Sequence, residues 1–241
     1  MRDDFLLKIG GYELRPPVIC GAVIGEDHGA MDAAVNRALD QGADLVELRL
    51  DGLRDLSGWQ RLLRQDVPMI VTNRTEREGG YFRGKEDERV KPLLEGITKG
   101  VACIDIEFST PQGQLREVVH AAREHGTSVM MSHHNFEKVP SPGAMVDIAR
   151  QMVDAGCDIA KLIGYAKRPR EVLAVFDFLV QASDLIDVPV VAFAMGEAGR
   201  FSRIIAPLFG SPIVYAAAVE ETAPGQFDVA TARRLLDDLK R

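Results

Sequence analysis

No stretch of this chain approaches the ~18 consecutive apolar residues that a membrane-spanning helix needs. The opening Met1-Arg2-Asp3-Asp4 also lacks the basic-then-apolar plan of a secretory leader. Cysteine is scarce. Cys20, Cys103 and Cys157 are odd in number, sit in apolar surroundings, and show neither metal-ligand spacing nor a disulfide framework. These absences predict a soluble protein of a reducing cytoplasm, with no metal site and no membrane contact. A basic excess is missing too. The formal net charge of −7 argues against nucleic acid as a partner, while local arginines still permit a small anionic substrate. Linkers, low-complexity runs and sequence repeats do not occur, so residues 1–241 are expected to form one domain. With 46% apolar and 27% charged residues, the chain has ample material for its core.

What is present is a steady alternation. Gly10-Gly11 lies between two short alternating runs, a hairpin signal within residues 1–16. Strand-like runs then begin near Val18, Asp44, Met69, Val101, Ser128, Asp158, Val190 and Ile213, with helical patterns between them. Met31, Ala34, Val35, Ala38 and Leu39 form one apolar stripe, and Met145, Ile148, Ala149, Met152 and Val153 repeat its spacing. Thr110-Pro111 and Ser141-Pro142 read as a capping hydroxyl before a proline in the first helical turn. Gly42, Gly126 and Gly156 stand where a helix ends in a left-handed cap. Repeated strand–helix units of this kind predict a (β/α)8 TIM barrel whose N-terminal hairpin closes the bottom. The open doubly wound alternative usually carries a glycine-rich phosphate loop after its first strand, and Gly21-Ala-Val-Ile-Gly25 has the wrong spacing for one.

The candidate chemistry starts from Lys161, in the buried-strand pattern Asp158-Ile-Ala-Lys-Leu-Ile-Gly164. A lysine placed there is either a salt-bridged core residue or an amine kept for chemistry. Strand parity supplies company. In Val46-Glu47-Leu48-Arg49-Leu50-Asp51 the apolar residues share the helix-facing side, and Glu47, Arg49 and Asp51 share the barrel interior. Such a row is either a structural ion-pair cluster or the polar floor of an active site. The same sorting turns Asp105 and Glu107 inward, and puts Thr72 with Arg74 and Ser132 with His134. Arg74, His134 and the loop residue Glu78 fall near the C-terminal ends of strands, where barrel enzymes build their sites. His134 also allows a plain core reading. Gly196-Glu-Ala-Gly-Arg200-Phe-Ser-Arg203 reads as an anion-binding turn entering a helix or as solvated surface, and Thr222-Ala-Pro-Gly-Gln226 as a ligand-closing loop or a simple turn.

Taken as an ordered set, Glu47-Leu-Arg49, Thr72-Asn-Arg74 with Glu78-Gly-Gly, Asp105-Ile-Glu107, Ser132-His-His134-Asn-Phe136, Lys161, Ser202-Arg203 and Thr222-Ala-Pro-Gly-Gln226 resemble the type I 3-dehydroquinate dehydratases from about residue 17 to the end. Asn135 and Thr222 stand where aspartate and serine are also common in that pattern, and neither change removes a functional group. The resemblance implies a cofactor-free, metal-free lyase of the shikimate pathway, a homodimer, that converts 3-dehydroquinate to 3-dehydroshikimate.

The resemblance also implies roles. Lys161 forms a Schiff base with the C3 ketone, its amine neutralised by burial and nearby arginines. His134 removes the C2 proton and returns it to the departing C1 hydroxyl, while Glu78 orients His134 and Asp105 holds the imidazole's other nitrogen. Arg203 and Gln226 grip the substrate carboxylate; Glu47, Arg49, Arg74 and Thr222 fix its remaining oxygens. Two other readings share the fold. A class I aldolase would use the same lysine to cleave a carbon–carbon bond, and a ligand-binding barrel would use neither Lys161 nor His134 for chemistry.

Overall fold

The computed structural model describes residues 5–219 and 222–239; Met1–Asp4, part of the expected hairpin segment, lie outside them. Two short antiparallel strands, β1 (Leu7–Ile9) and β2 (Tyr12–Leu14), turn at Gly10, whose φ of +55° only glycine adopts easily. A side chain at Gly10 would also collide with the Ala102 carbonyl, 2.8 Å from a built Cβ.

Eight parallel strands follow: β3 (Val18–Val23), β4 (Leu45–Arg49), β5 (Met69–Thr72), β6 (Cys103–Glu107), β7 (Ser128–Asn135), β8 (Ile159–Tyr165), β9 (Val190–Met195) and β10 (Ile213–Ala217). They pair in the order β10-β3-β4-β5-β6-β7-β8-β9, a nearly closed barrel; among the described residues no strand pairing crosses the β9–β10 seam. Helices α1 (His28–Asp40), α2 (Glu86–Thr98), α3 (Gln112–His125), α4 (Pro142–Asp154), α5 (Leu173–Leu185) and α6 (Ser202–Ile205) lie in every crossover but the one after β4, and α7 (Val229–Leu239) follows β10.

The expected helix stripes face inward: Met31, Ala34, Val35 and Ala38 of α1 are buried, as are Met145, Ala149 and Met152 of α4. Ser141 caps α4 as its position predicts, accepting a hydrogen bond from the Ala144 N–H. Gly42, Gly126 and Gly156 all take positive φ.

Two expectations fail locally. After β4 the chain makes only two 3-10 turns, Leu50–Gly52 and Trp59–Leu62, where a helix was expected. Gly58, at φ +71°, interrupts any continuous helix there. The other failure concerns Thr110, which does not cap α3; its hydroxyl is taken by Arg89 Nη2 at 2.7 Å, and the helix starts one residue later than predicted.

Two apolar layers result. One lies between sheet and helices and takes Val46, Leu48 and Leu50, as parity predicts. The other fills the lower barrel with Val18, Cys20, Leu45, Ile70, Cys103, Met130 and Ile159, and the hairpin residues Leu7 and Ile9 pack onto it. The hairpin therefore plugs the end of the barrel opposite the strand C-termini, leaving that other end free to be polar. Ile9 is wholly buried there. Ile9→Ala is expected to cost about 2–5 kcal/mol, read as a lowered midpoint in denaturant unfolding; an unchanged midpoint would mean that the plug contributes nothing.

Candidate active site

The barrel's upper half holds charge where its lower half holds hydrocarbon. Lys161 projects inward from β8 and is only 3% exposed. Its Nζ lies 2.9 Å from Asp105 Oδ2 on β6 and 3.5 Å from Glu47 Oε1 on β4. The Tyr215 ring of β10 covers the amine, with its centroid 3.9 Å away. The arginines expected beside the amine stand further back. Arg74 reaches it only through Asp105, whose Oδ1 accepts Arg74 Nη2 at 2.8 Å and Ser132 Oγ at 2.6 Å.

This corrects the role expected of Asp105. Both of its oxygens are committed to Lys161, Arg74 and Ser132, so it braces the lysine rather than the imidazole. Burial would raise its carboxyl, yet the Arg74 and Lys161 charges hold it well below the usual range.

His134 sits on β7, two residues beyond Ser132, which is paired in register with Lys161. Glu78 Oε2 accepts both the His134 backbone N–H at 2.9 Å and Nδ1 at 3.1 Å. That bond places the ring proton on Nδ1 and leaves Nε2 as the free base. Burial pushes the imidazole pKa down to about 3, with the Arg74 and Lys161 charges adding to the effect and Glu78 opposing it. Glu78 itself would be raised by burial, but the His134 bond, Arg74 and Ser109 bring it below the ordinary carboxylate range. Near neutral pH the pair is therefore a neutral imidazole on an ionised carboxylate.

The loop that carries Glu78 is held at both ends by one residue. Asp51, expected to face the barrel interior, stands instead in the 3-10 turn after β4 and accepts the backbone N–H of Arg74 at 3.0 Å and of Tyr81 at 3.1 Å. It also receives a bidentate bond from Arg49. Within the loop Gly80 is obligatory, since a Cβ there would sit 2.0 Å from the Arg74 carbonyl oxygen. Gly79, at φ +80°, lies under the Phe136 ring.

The remaining expected residues gather at the same mouth. Glu47 Oε1 accepts from Thr72 Oγ1 at 2.9 Å. Arg203 stacks on the Phe193 ring at 4.3 Å and donates to the Pro224 carbonyl at 3.1 Å. Gln226 Oε1 accepts from the Thr222 N–H at 2.7 Å and its hydroxyl at 3.1 Å, which folds the last loop inward. Glu47, Arg49, Arg74, Glu78, His134, Lys161, Arg203, Thr222 and Gln226 all line one cavity that opens to solvent.

Sequence reasoning missed Tyr215, Phe193, Arg89 and Ser109. The two rings lie inward on their strands by the same parity that exposed Glu47. Arg89 is a buried helix residue with no period-2 signal, and Ser109 belongs to a turn without any pattern. Among the described residues no cluster of His, Cys, Asp and Glu is disposed to hold a metal, and no helix is long and apolar enough to cross a membrane.

This geometry agrees with what the chain resembles. The family model for type I 3-dehydroquinase matches residues 19–241. The 3-dehydroquinate dehydratase of Methanothermobacter thermautotrophicus is 37% identical over 224 residues, covering 92% of this chain and 96% of that protein. Its counterpart in Methanosarcina barkeri is 35% identical, covering 98% of this chain and 100% of that protein. The crystal structure of 3-dehydroquinate dehydratase from Geobacillus kaustophilus superposes with a TM-score of 0.91 at 25% identity, covering 99% of this chain and 97% of that one. A type I enzyme from Clostridium difficile, 24% identical over 98% of this chain and 97% of its own, repeats the fold at a TM-score of 0.89. A barrel with a buried, carboxylate-braced lysine, matched over nearly its whole length, belongs to the type I 3-dehydroquinase family.

Proposed function

We propose that this chain dehydrates 3-dehydroquinate to 3-dehydroshikimate through a Schiff base on Lys161, within the shikimate pathway. The observation that carries the reading is the shared cavity: a buried amine and a neutral imidazole on an ionised carboxylate face one small space. Neither group earns its burial by stabilising the fold. Buried charged networks of this size are often neutral or unfavourable compared with apolar packing.

Chemistry follows from the placement. Lys161, touched by the Asp105 and Glu47 carboxylates, gives up a proton to expose its lone pair and attacks the C3 ketone. That proton returns to the carbinolamine oxygen, which leaves as water to give an iminium, a stronger electron sink than the ketone, which acidifies the adjacent C2–H. His134 Nε2 takes that proton while Glu78 stabilises the imidazolium through Nδ1. The electron pair then expels the C1 hydroxyl, which leaves as water with the proton from His134. A second water hydrolyses the conjugated iminium, freeing product and amine. No step draws on a cofactor or a metal.

Arg203, Thr222 and Gln226 close one side of the cavity and are assigned the substrate carboxylate and nearby oxygens. Arg49, Glu47 and Arg74 hold the opposite side, with Arg74 also bound to Asp105 and Ser132. Three free, buried cysteines fit a cytoplasmic setting. For assembly, a homodimer is proposed. Leu173 and Val180 of α5 are exposed on the side of Phe176, whose ring stacks on Phe209 at 4.6 Å and meets Phe201 edge-on at 6.3 Å. This apolar face is the surface assigned to the partner copy.

Lys161→Ala is expected to abolish turnover and the borohydride-trapped adduct with 3-dehydroquinate, and mass spectrometry of the wild-type adduct should map to Lys161. Turnover without that label would reject the covalent route. His134→Ala should slow dehydration by about 10²–10⁴-fold while still trapping the imine.

A pH prediction follows from the depressed imidazole. A lowered pKa keeps His134 neutral well below its usual 6.5, so kcat/KM should show no loss centred near pH 6.5. A limb there that vanishes in the His134→Ala background would contradict this. For assembly, Val180→Glu should shift the molecular mass by light scattering from two chains to one, and a wild-type monomer would reject the dimer.

A further inference from the structure

Glu78 and His134 form a wall between two clefts. One side is the Lys161 cavity; the other is a separate open cleft lined by Thr75, Phe82, Glu86, Arg89 and Ser109. Ser109 lines only the second. From that side its hydroxyl donates to Glu78 Oε1 at 2.8 Å, while Oε2 receives both His134 bonds. All three bonds together fix the carboxylate plane. With Oε1 left unheld, the carboxylate would turn about its last bond, and His134 would lose the direction that aims Nε2 at the substrate.

The placement of Ser109 is itself built. It occupies the turn Glu107–Thr110, closed by the Thr110 N–H on the Glu107 carbonyl at 3.0 Å. The buried Arg89 guanidinium holds this turn at both ends, bonding the Glu107 carboxylate through Nη1 and Thr110 Oγ1 through Nη2 at 2.7 Å. Glu107 also accepts the Thr75 N–H at 2.9 Å, at the start of the Glu78 loop. One cation thus ties the Ser109 turn to the loop whose carboxylate Ser109 holds.

We propose that Ser109 is a positioning residue for the His134–Glu78 acid–base pair, acting from the cleft the substrate does not enter. The proposal rests on the dehydratase reading above and adds a residue to it. Because Ser109 touches neither the substrate cavity nor Lys161, its removal affects proton abstraction and leaves imine formation alone. The serine is exposed, so its loss opens no cavity in the core.

The test is Ser109→Ala with 3-dehydroquinate. A hydrogen bond to an ionised group, partly replaced by water at an exposed site, corresponds to a kcat about tenfold lower. KM should stay near wild type, the rate of borohydride trapping on Lys161 should not change, and the isotope effect with C2-deuterated substrate should rise. Ser109→Thr, which keeps the hydroxyl, should restore kcat. A Ser109→Ala kcat within twofold of wild type would overturn the proposal. So would a fall in trapping that matches the fall in kcat, since that marks general structural damage. A wild-type protein that neither turns over nor traps would instead remove the dehydratase reading itself.

Discussion

The amine of Lys161, held 2.9 Å from Asp105 inside the barrel, is the contact on which the upper half of this molecule depends. An ammonium and a carboxylate taken out of water cost several kcal/mol each before their attraction repays anything. The structure meets that cost by saturating the carboxylate: Arg74, Ser132 and Lys161 occupy its two oxygens. Glu47 and the Tyr215 ring complete the enclosure of the amine. Remove one member and a charge is left buried without its partner, the situation that proteins tolerate least.

That arrangement explains the division of the barrel. Hydrocarbon from β3–β8 and the hairpin fills the lower half, and the polar side chains stand on the same strands one or two inward positions further along. Cys103 and Asp105 are successive inward residues of β6; Met130 and Ser132 are the same on β7; Ile159 and Lys161 on β8. The floor supplies stability and fixes the strands, so the charged layer above needs no stabilising role of its own.

Period-2 alternation is why so much of this was legible beforehand. The charged residues of Glu47-Leu-Arg49-Leu-Asp51 read as one inward row, and the structure brings Glu47 and Arg49 to the cavity while Asp51, in the turn after β4, pairs with Arg49 and the Glu78 loop. The strand starts and the glycine caps followed from equally local rules. What stayed hidden was pairing across strands. Parity says that Asp105 faces the interior but not whether it meets an imidazole or an amine; register sets it level with Met130 and Ile159, and its side chain reaches one inward position further, to Lys161. Ser109 was hidden for a different reason. A turn serine carries no periodicity, so only the coordinates join it to a carboxylate 31 residues earlier in the chain.

Arg74 shows why the network cannot be divided into a structural and a chemical part. Its guanidinium bonds Ser132, Asp105 and Glu107 at once; burial would lower its pKa, yet the Asp105, Glu107 and Glu78 charges outweigh that and raise it above the ordinary arginine value. That one fixed cation pulls the Asp105 carboxyl down and pushes the His134 imidazole down with it. The first effect keeps an anion against the lysine; the second keeps the base free of its proton. A lysine at position 74 would supply the charge but not the planar fork that reaches three acceptors. Both halves of the acid–base problem, holding an amine and freeing an imidazole, therefore share one guanidinium, which adds to the burial that lowers His134 and braces the carboxylate that holds Lys161.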